Sequence, residues 1–85
     1  MNLPVIHQTL DLLIKGKTHH VTCTDLFDGG SGYYFDALFP TTSRYRFESG
    51  EQCMVQELGE ERLVEFVSYP KSERQIARFF FPKWS

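Results

Sequence analysis

The chain has 85 residues, of which 41% are hydrophobic and 15% aromatic, and its formal net charge is −2. This length suits a single small domain over residues 1–85, and the aromatic side chains supply enough apolar area for a core, which excludes intrinsic disorder. The slightly acidic balance argues against a protein whose main task is to neutralise nucleic-acid phosphates.

The two cysteines, Cys23 and Cys53, are too few for the disulfide framework of a small secreted domain. The first residues show no basic segment followed by an apolar run, so we expect no signal peptide. No apolar stretch approaches ~18 residues, the length that a membrane-spanning helix needs. These features predict a cytoplasmic protein with reduced thiols and no membrane partner.

The N-terminal third predicts a hairpin. The segment 5–14 carries apolar residues at spacings that fit either a helix or a strand, and we favour helix or coil first and a strand over residues 9–14. A turn at Gly16 would join this strand to a second one over residues 18–27, where β-branched residues are frequent.

A glycine-rich loop over residues 28–32 precedes the most aromatic strand of the first half. This third strand is predicted over residues 33–39. Because side chains alternate along a strand, one face would enter the core. That face consists of Tyr33, Phe35, Ala37 and Phe39.

The second half contains three further candidate strands. Residues 44–47 alternate between basic and aromatic side chains, which indicates a half-exposed strand. Residues 53–58 and 62–69 flank Gly59 as a hairpin, with Val64 in the core. The latter segment has apolar residues on both faces, which is typical of a central strand covered on both sides.

The C-terminal segment is ambiguous between helix and strand. Residues 72–75 fit a capping box, and Ile76, Phe79 and Phe80 would share one face of a following short helix. A closing strand over residues 78–81 is the alternative. Three consecutive phenylalanines cannot all face one core in either structure, because a strand alternates its side chains and a helix spreads them around its circumference.

These elements predict a mainly β fold. Five to six short antiparallel strands would form a small barrel of the Sm-like or SH3-like kind, or a strongly curved sheet, with a short terminal helix. An α+β sheet is the alternative. Closure into a barrel would remove the exposed strand edges that an open sheet has to protect.

The sequence favours a protein without catalytic groups, metal or cofactor. His19, His20, Cys23 and Asp25 are the one local cluster of metal-ligand types. On a strand, His19 and Cys23 would lie roughly 13 Å apart, at about 3.3 Å per residue, whereas zinc needs its ligands within ~2.3 Å of one point. The loop 28–32 lacks the Gly-Lys-Ser/Thr ending of a phosphate-binding loop.

Two segments of opposite charge are candidates for contact with a partner: the acidic segment 48–66 and the basic segment 70–85. We therefore expect a regulatory or adaptor module that binds another protein. The tail 78–84, in which basic and aromatic residues mix, would contribute to that contact or to self-association. The candidate partner-binding residues are Arg78, Phe80, Phe81, Lys83 and Trp84 in the tail, and Glu57, Glu60 and Glu61 in the acidic segment.

A nucleic-acid-binding small barrel is the alternative function. Gly32, Tyr33 and Phe35 fit part of the motif by which RNA-binding strands stack bases. The candidate residues for this function are Tyr34, Arg44, Arg46 and Arg74.

Residues 10–26 read Leu-x-Leu-x-Ile-Lys-Gly and then, after a gap, Thr-Asp-Leu. This pattern resembles the first hairpin of the Rof-type inhibitors of the transcription terminator Rho, which are Sm-like barrels. The aromatic strand and residues 43–47 can be laid over the same plan, so that the resemblance covers about half of the chain. It implies that the protein binds an RNA-binding protein through an acidic face and catalyses no reaction.

Overall fold

Alternating apolar and polar side chains build six strands in the computed structural model, which describes residues 4–40, 46–56, 62–71 and 75–82. The strands are β1 (Thr9–Ile14), β2 (Lys17–Asp28), β3 (Gly32–Leu38), β4 (Gln52–Val55), β5 (Arg62–Ser68) and β6 (Ile76–Pro82). They close into an antiparallel barrel in the order β1-β2-β3-β6-β5-β4. The predicted small antiparallel barrel is confirmed, and the described residues contain no helix.

The barrel consists of two three-stranded meanders, β1–β2–β3 and β4–β5–β6. They meet at two seams, where β1 pairs with β4 and β3 pairs with β6. The middle strand of each meander has an irregular register, between Cys23 and Asp25 in β2 and between Phe66 and Ser68 in β5. Because bulges bend and twist a strand, these two positions help each meander to curl and the barrel to close.

Phenylalanine rings pack against one another in the core, beside aliphatic side chains. Phe35 packs against Phe79 and Phe81, with ring centroids 5.4 and 5.9 Å apart, and Phe47 stacks on Phe66 at 4.9 Å. The core prediction for Phe35 and Val64 is confirmed, since they are 0% and 1% exposed. Rings at these separations attract one another in addition to burying apolar area.

The predicted first hairpin is confirmed. The strand over residues 9–14 is β1, and it turns into β2 at Lys15 and Gly16, which both adopt positive φ. A two-residue turn of this kind matches the right-handed twist of the flanking strands, and glycine adopts it without steric cost. The core-facing residues predicted for the third strand also lie inward, with Phe35, Ala37 and Phe39 buried and Tyr33 half-buried.

The C-terminal segment is the strand β6, so the short terminal helix favoured by the capping pattern is not formed over residues 75–82. β6 pairs with β3 along its whole length, from Leu38–Ile76 to Gly32–Pro82. This pairing turns Phe79 and Phe81 inward and Phe80 outward. Burial of two phenylalanines outweighs a capping preference of about 1 kcal/mol. Residues 72–74 lie outside the described residues.

One open alternative is decided, and two smaller expectations are corrected. Helix or coil was expected before β1, and residues 5–8 form an irregular turn closed by the Gln8 N–H donating to the Val5 carbonyl. Arg46 and Phe47 lie outside the strands, and residues 41–45 and 57–61 are outside the described residues. The outer face of β5 is not covered, since Leu63 is 46% exposed. A closed barrel of six strands has a single interior, which Val64 and Phe66 already occupy.

Candidate functional site

A row of three aromatic side chains crosses the outer face of β2, β3 and β6. Phe27 lies opposite Tyr34, and Tyr34 lies opposite Phe80. The ring centroids are 5.5 Å apart in the first pair and 5.0 Å in the second. Phe27 is 37% exposed, and the other two rings are half-buried. We call these residues the outer aromatic row.

The bulge in β2 places Phe27 in this row. Ahead of the bulge Val21 and Cys23 face inward, so strict alternation would also turn Phe27 inward. The register shift between Cys23 and Asp25 reverses this order, so that Leu26 packs against the core and Phe27 points outward. An extra residue in a strand re-aims every side chain that follows it.

Two glycines provide space for the row: Gly29 in the loop before β3, and Gly32 at the start of β3. A Cβ atom at Gly29 would lie 2.3 Å from the Tyr34 ring, and one at Gly32 would lie 2.4 Å from both the Phe80 ring and the Phe81 carbonyl oxygen. Both rings therefore rest directly on glycine backbone. The neighbouring Gly30 differs in its role, because it has open space around it and needs glycine for its φ of 88°.

An ion pair lies beside the row. Arg78 donates from Nε and Nη2 to the two carboxylate oxygens of Asp36, at 2.8 and 3.1 Å. The Arg78 guanidinium also lies over the Phe27 ring, 4.7 Å from its centroid. The Asp36 side chain is only 8% exposed although it belongs to the outer face. Two parallel hydrogen bonds and a stacked ring fix the guanidinium in one position.

Acidic side chains surround the row. Asp25 lies opposite Asp36, and Glu65 lies opposite Phe80, and both Asp25 and Glu65 are exposed. The hydrogen bonds that Arg78 donates to Asp36 raise the pKa of Arg78 above its ordinary value, and the charges of Asp36 and Asp25 add to this rise against the opposing effect of burial. The guanidinium therefore stays charged and remains attached to its carboxylate.

The structure distributes the predicted partner-binding residues over different environments. Arg78 and Phe80 belong to the outer surface just described. Phe81 is fully buried beneath the Arg62 guanidinium, 5.6 Å from the ring centroid, so it is a core residue and not part of the outer surface. The remaining candidates, Glu57, Glu60, Glu61, Lys83 and Trp84, lie outside the described residues.

Of the residues proposed for nucleic-acid contact, Tyr34 is the centre of the outer aromatic row and Arg46 is exposed outside the strands. Arg44 and Arg74 are outside the described residues. Sequence reasoning missed Phe27 and Asp36. One signal in the sequence pointed to an outer aromatic surface. The third strand and the tail together contain more aromatic residues than a single core face can hold.

The cluster of metal-ligand types is divided between the two faces of β2. His19 and Cys23 are buried, whereas His20 and Asp25 point outward, and His20 Nδ1 lies 2.5 Å from Asp11 Oδ1. Within residues 4–40, 46–56, 62–71 and 75–82, no group of three His, Cys, Asp or Glu side chains could hold a metal ion.

Both cysteines are free and buried. Burial raises the pKa of the Cys23 thiol, and it raises that of Cys53 to about 12, with a smaller contribution from the charge of Glu51. Since the thiolate is the reactive form, burial keeps both side chains unreactive at neutral pH.

Comparisons with protein-family models, with curated proteins and with solved structures found no match to this chain. No helix in the described part of the chain has the length and apolar character needed to cross a membrane. The outer aromatic row, with Arg78 and its acidic neighbours, is the feature of the described residues that bears most directly on function.

Proposed function

We propose that this protein is a small, non-enzymatic regulatory or adaptor module of the cytoplasm that binds another protein through the outer aromatic row. The observation that carries the proposal is the position of Phe27, Tyr34 and Phe80, which are adjacent and partly exposed on the outside of a barrel whose interior other side chains fill. Contiguous exposed apolar surface on a soluble domain is typical of a contact site.

The composition and rigidity of this surface favour a protein partner. Tyrosine, phenylalanine and arginine are enriched in protein interfaces, and tyrosine and arginine recur among the residues that contribute most binding energy. The three rings stand on paired strands, and Tyr34 and Phe80 rest on glycine backbone. Little conformational entropy is therefore lost when a partner covers them.

The charges around the row disfavour the nucleic-acid alternative. Base stacking on aromatic rings needs cations nearby to neutralise phosphates. Here the Arg78 guanidinium is held by Asp36, and Asp25 and Glu65 add negative charge. The resemblance to Rof-type inhibitors implies the same class of partner, a protein.

Affinity capture with matched variants tests the proposal. Tagged parent protein, Phe27→Ala, Tyr34→Ala and the control Leu63→Ala are incubated with extract of the native organism, and bound proteins and nucleic acids are both identified. Leu63 is an exposed apolar residue outside the row. We expect one protein that the parent and Leu63→Ala retain and the two row variants lose. Equal retention by all four would contradict the proposal, and salt-sensitive binding of nucleic acid alone would favour the alternative.

Self-association through residues 78–84 stays a prediction. Phe80 is the phenylalanine of this segment that faces outward, so Phe80→Ser tests it without disturbing the core. Light scattering at low and high salt should give a dimer for the parent and a monomer for the variant. If parent and variant are both monomers and bind the same partners equally well, the segment only completes the barrel.

A further inference from the structure

The outer surface contains one complete arrangement for holding an arginine. The Arg78 guanidinium stacks on Phe27 and donates two hydrogen bonds to Asp36. An aromatic face and a carboxylate thus bind one guanidinium from two directions. Arginine suits this geometry better than lysine because its planar group can stack and form paired hydrogen bonds at the same time.

An aromatic ring and a carboxylate also lie next to each other on the neighbouring strands β5 and β6. Phe80 of β6 lies directly opposite Glu65 of β5, and both side chains point outward. Among the described residues, no ion pair joins Glu65 to a basic side chain. The Tyr34 and Phe80 rings are tilted by 53° with respect to each other rather than stacked, and both side chains are only half-buried.

Resting on the function proposed above, we propose that the protein partner places an arginine side chain against Phe80 and Tyr34, with its guanidinium paired to Glu65. The local charge supports this choice. The outer face beside the row carries the carboxylates of Asp25, Asp36 and Glu65. The Arg78 guanidinium pairs with one of them, Asp36, while the side chains of Asp25 and Glu65 are exposed. The partner segment is therefore basic. The partner's arginine would contact an aromatic ring and a carboxylate on β5 and β6, just as Arg78 contacts the Phe27 ring and the Asp36 carboxylate.

Peptide titration followed by NMR tests the arginine contact. The probes are three octapeptides in which glycine alternates with arginine, with lysine or with citrulline, the last being the neutral counterpart of arginine. The arginine peptide should shift the resonances of Phe80, Tyr34 and Glu65 most, the lysine peptide should bind more weakly, and the citrulline peptide should cause no shift. Equal binding of the citrulline peptide, or shifts centred elsewhere, would overturn the proposal.

Charge removal at one position provides the matched comparison. Glu65→Gln should weaken arginine-peptide binding about fivefold, as expected for loss of one partly exposed cation contact. Glu48→Gln, which removes an exposed glutamate from the turn before β4, should leave it unchanged. Because both positions are exposed, both variants should fold like the parent. An unchanged affinity of Glu65→Gln would overturn the proposal.

Capture of the natural partner by the variants distinguishes failure of the arginine contact from failure of the proposed function. A protein whose capture requires Phe27 and Tyr34 but is indifferent to Glu65→Gln would refute the arginine contact and leave the contact surface in place. A protein captured equally by the parent, the row variants and Glu65→Gln would refute both. Loss of capture with Glu65→Gln, but not with Glu48→Gln, is the expected result.

Discussion

The same two strands carry two aromatic sets on opposite faces. Phe35, Phe79 and Phe81 point into the barrel, whereas Tyr34 and Phe80, adjacent to them in sequence, join Phe27 on the outside. Ring separations are similar, at 5.4 and 5.9 Å inside and 5.5 and 5.0 Å outside. Contact between rings therefore does not distinguish the sets. The inner set is fully buried, whereas the side chains of the outer row are only partly buried.

The largest expected effect is on the inner set. Phe35→Ala removes a fully buried ring and leaves a cavity, so we expect the free energy of unfolding to fall by about 3–5 kcal/mol. Urea denaturation followed by circular dichroism measures this loss. If Phe35→Ala melted within a few degrees of the parent, the assignment of the two faces of β3 would be wrong.

Gly32 connects the two sets, because a side chain there would collide with the Phe80 ring outside and with the Phe81 backbone. Gly32→Ala should destabilise the fold by about 1–3 kcal/mol, the usual cost of overpacking a fixed environment. A Cβ atom at Gly29 would collide with the Tyr34 side chain but with no backbone atom, since the Gly32 carbonyl oxygen would be 3.4 Å away. Gly29→Ala should therefore cost less stability than Gly32→Ala and mainly displace Tyr34 from its position in the outer row. Thermal melting measures the loss of stability in both variants. Equal losses would show that the contact with the Phe81 backbone is unimportant.

The Asp36–Arg78 pair should couple the outer row to stability. Asp36→Asn leaves the guanidinium without its carboxylate, and we expect a loss of about 1.5–3 kcal/mol, the range for hydrogen bonds to charged groups. Arg78→Gln should have a similar effect. In a double-mutant cycle the second substitution should cost little once the first is present. Additive losses would show that the pair contributes nothing as a pair.

Because the His19 ring is buried, we expect the free energy of unfolding to fall slightly in acid. Burial lowers its pKa below the ordinary value of 6.5, with a smaller contribution from the charge of Lys17. The folded state thus favours the neutral ring, so that its contribution to stability is complete above pH 6.5 and is lost as the pH falls through the lowered pKa. His19→Leu should flatten the pH dependence of the unfolding free energy below pH 6.5. An identical dependence in both proteins would contradict this assignment.

Local patterns in the sequence were sufficient to predict the first three strands, because alternation, the turn at Gly16 and β-branched residues all favour the same structure there. The tail was ambiguous, because its strand depends on pairing with β3, and the Asp36–Arg78 contact joins residues far apart in the chain. Phe27 was missed for a different reason. The bulge near Cys23 reverses the alternation, and no residue type in β2 announces a bulge.

Photo-crosslinking at a single position tests most directly that the outer aromatic row is the contact surface. Phe27 is replaced by a photoreactive phenylalanine analogue in cells of the native organism, and Leu63 is replaced in the same way as the control, since both side chains are exposed and apolar. We predict one prominent protein adduct from position 27 that is absent from position 63. No adduct at position 27, or the same adducts at both positions, would contradict the proposed contact surface.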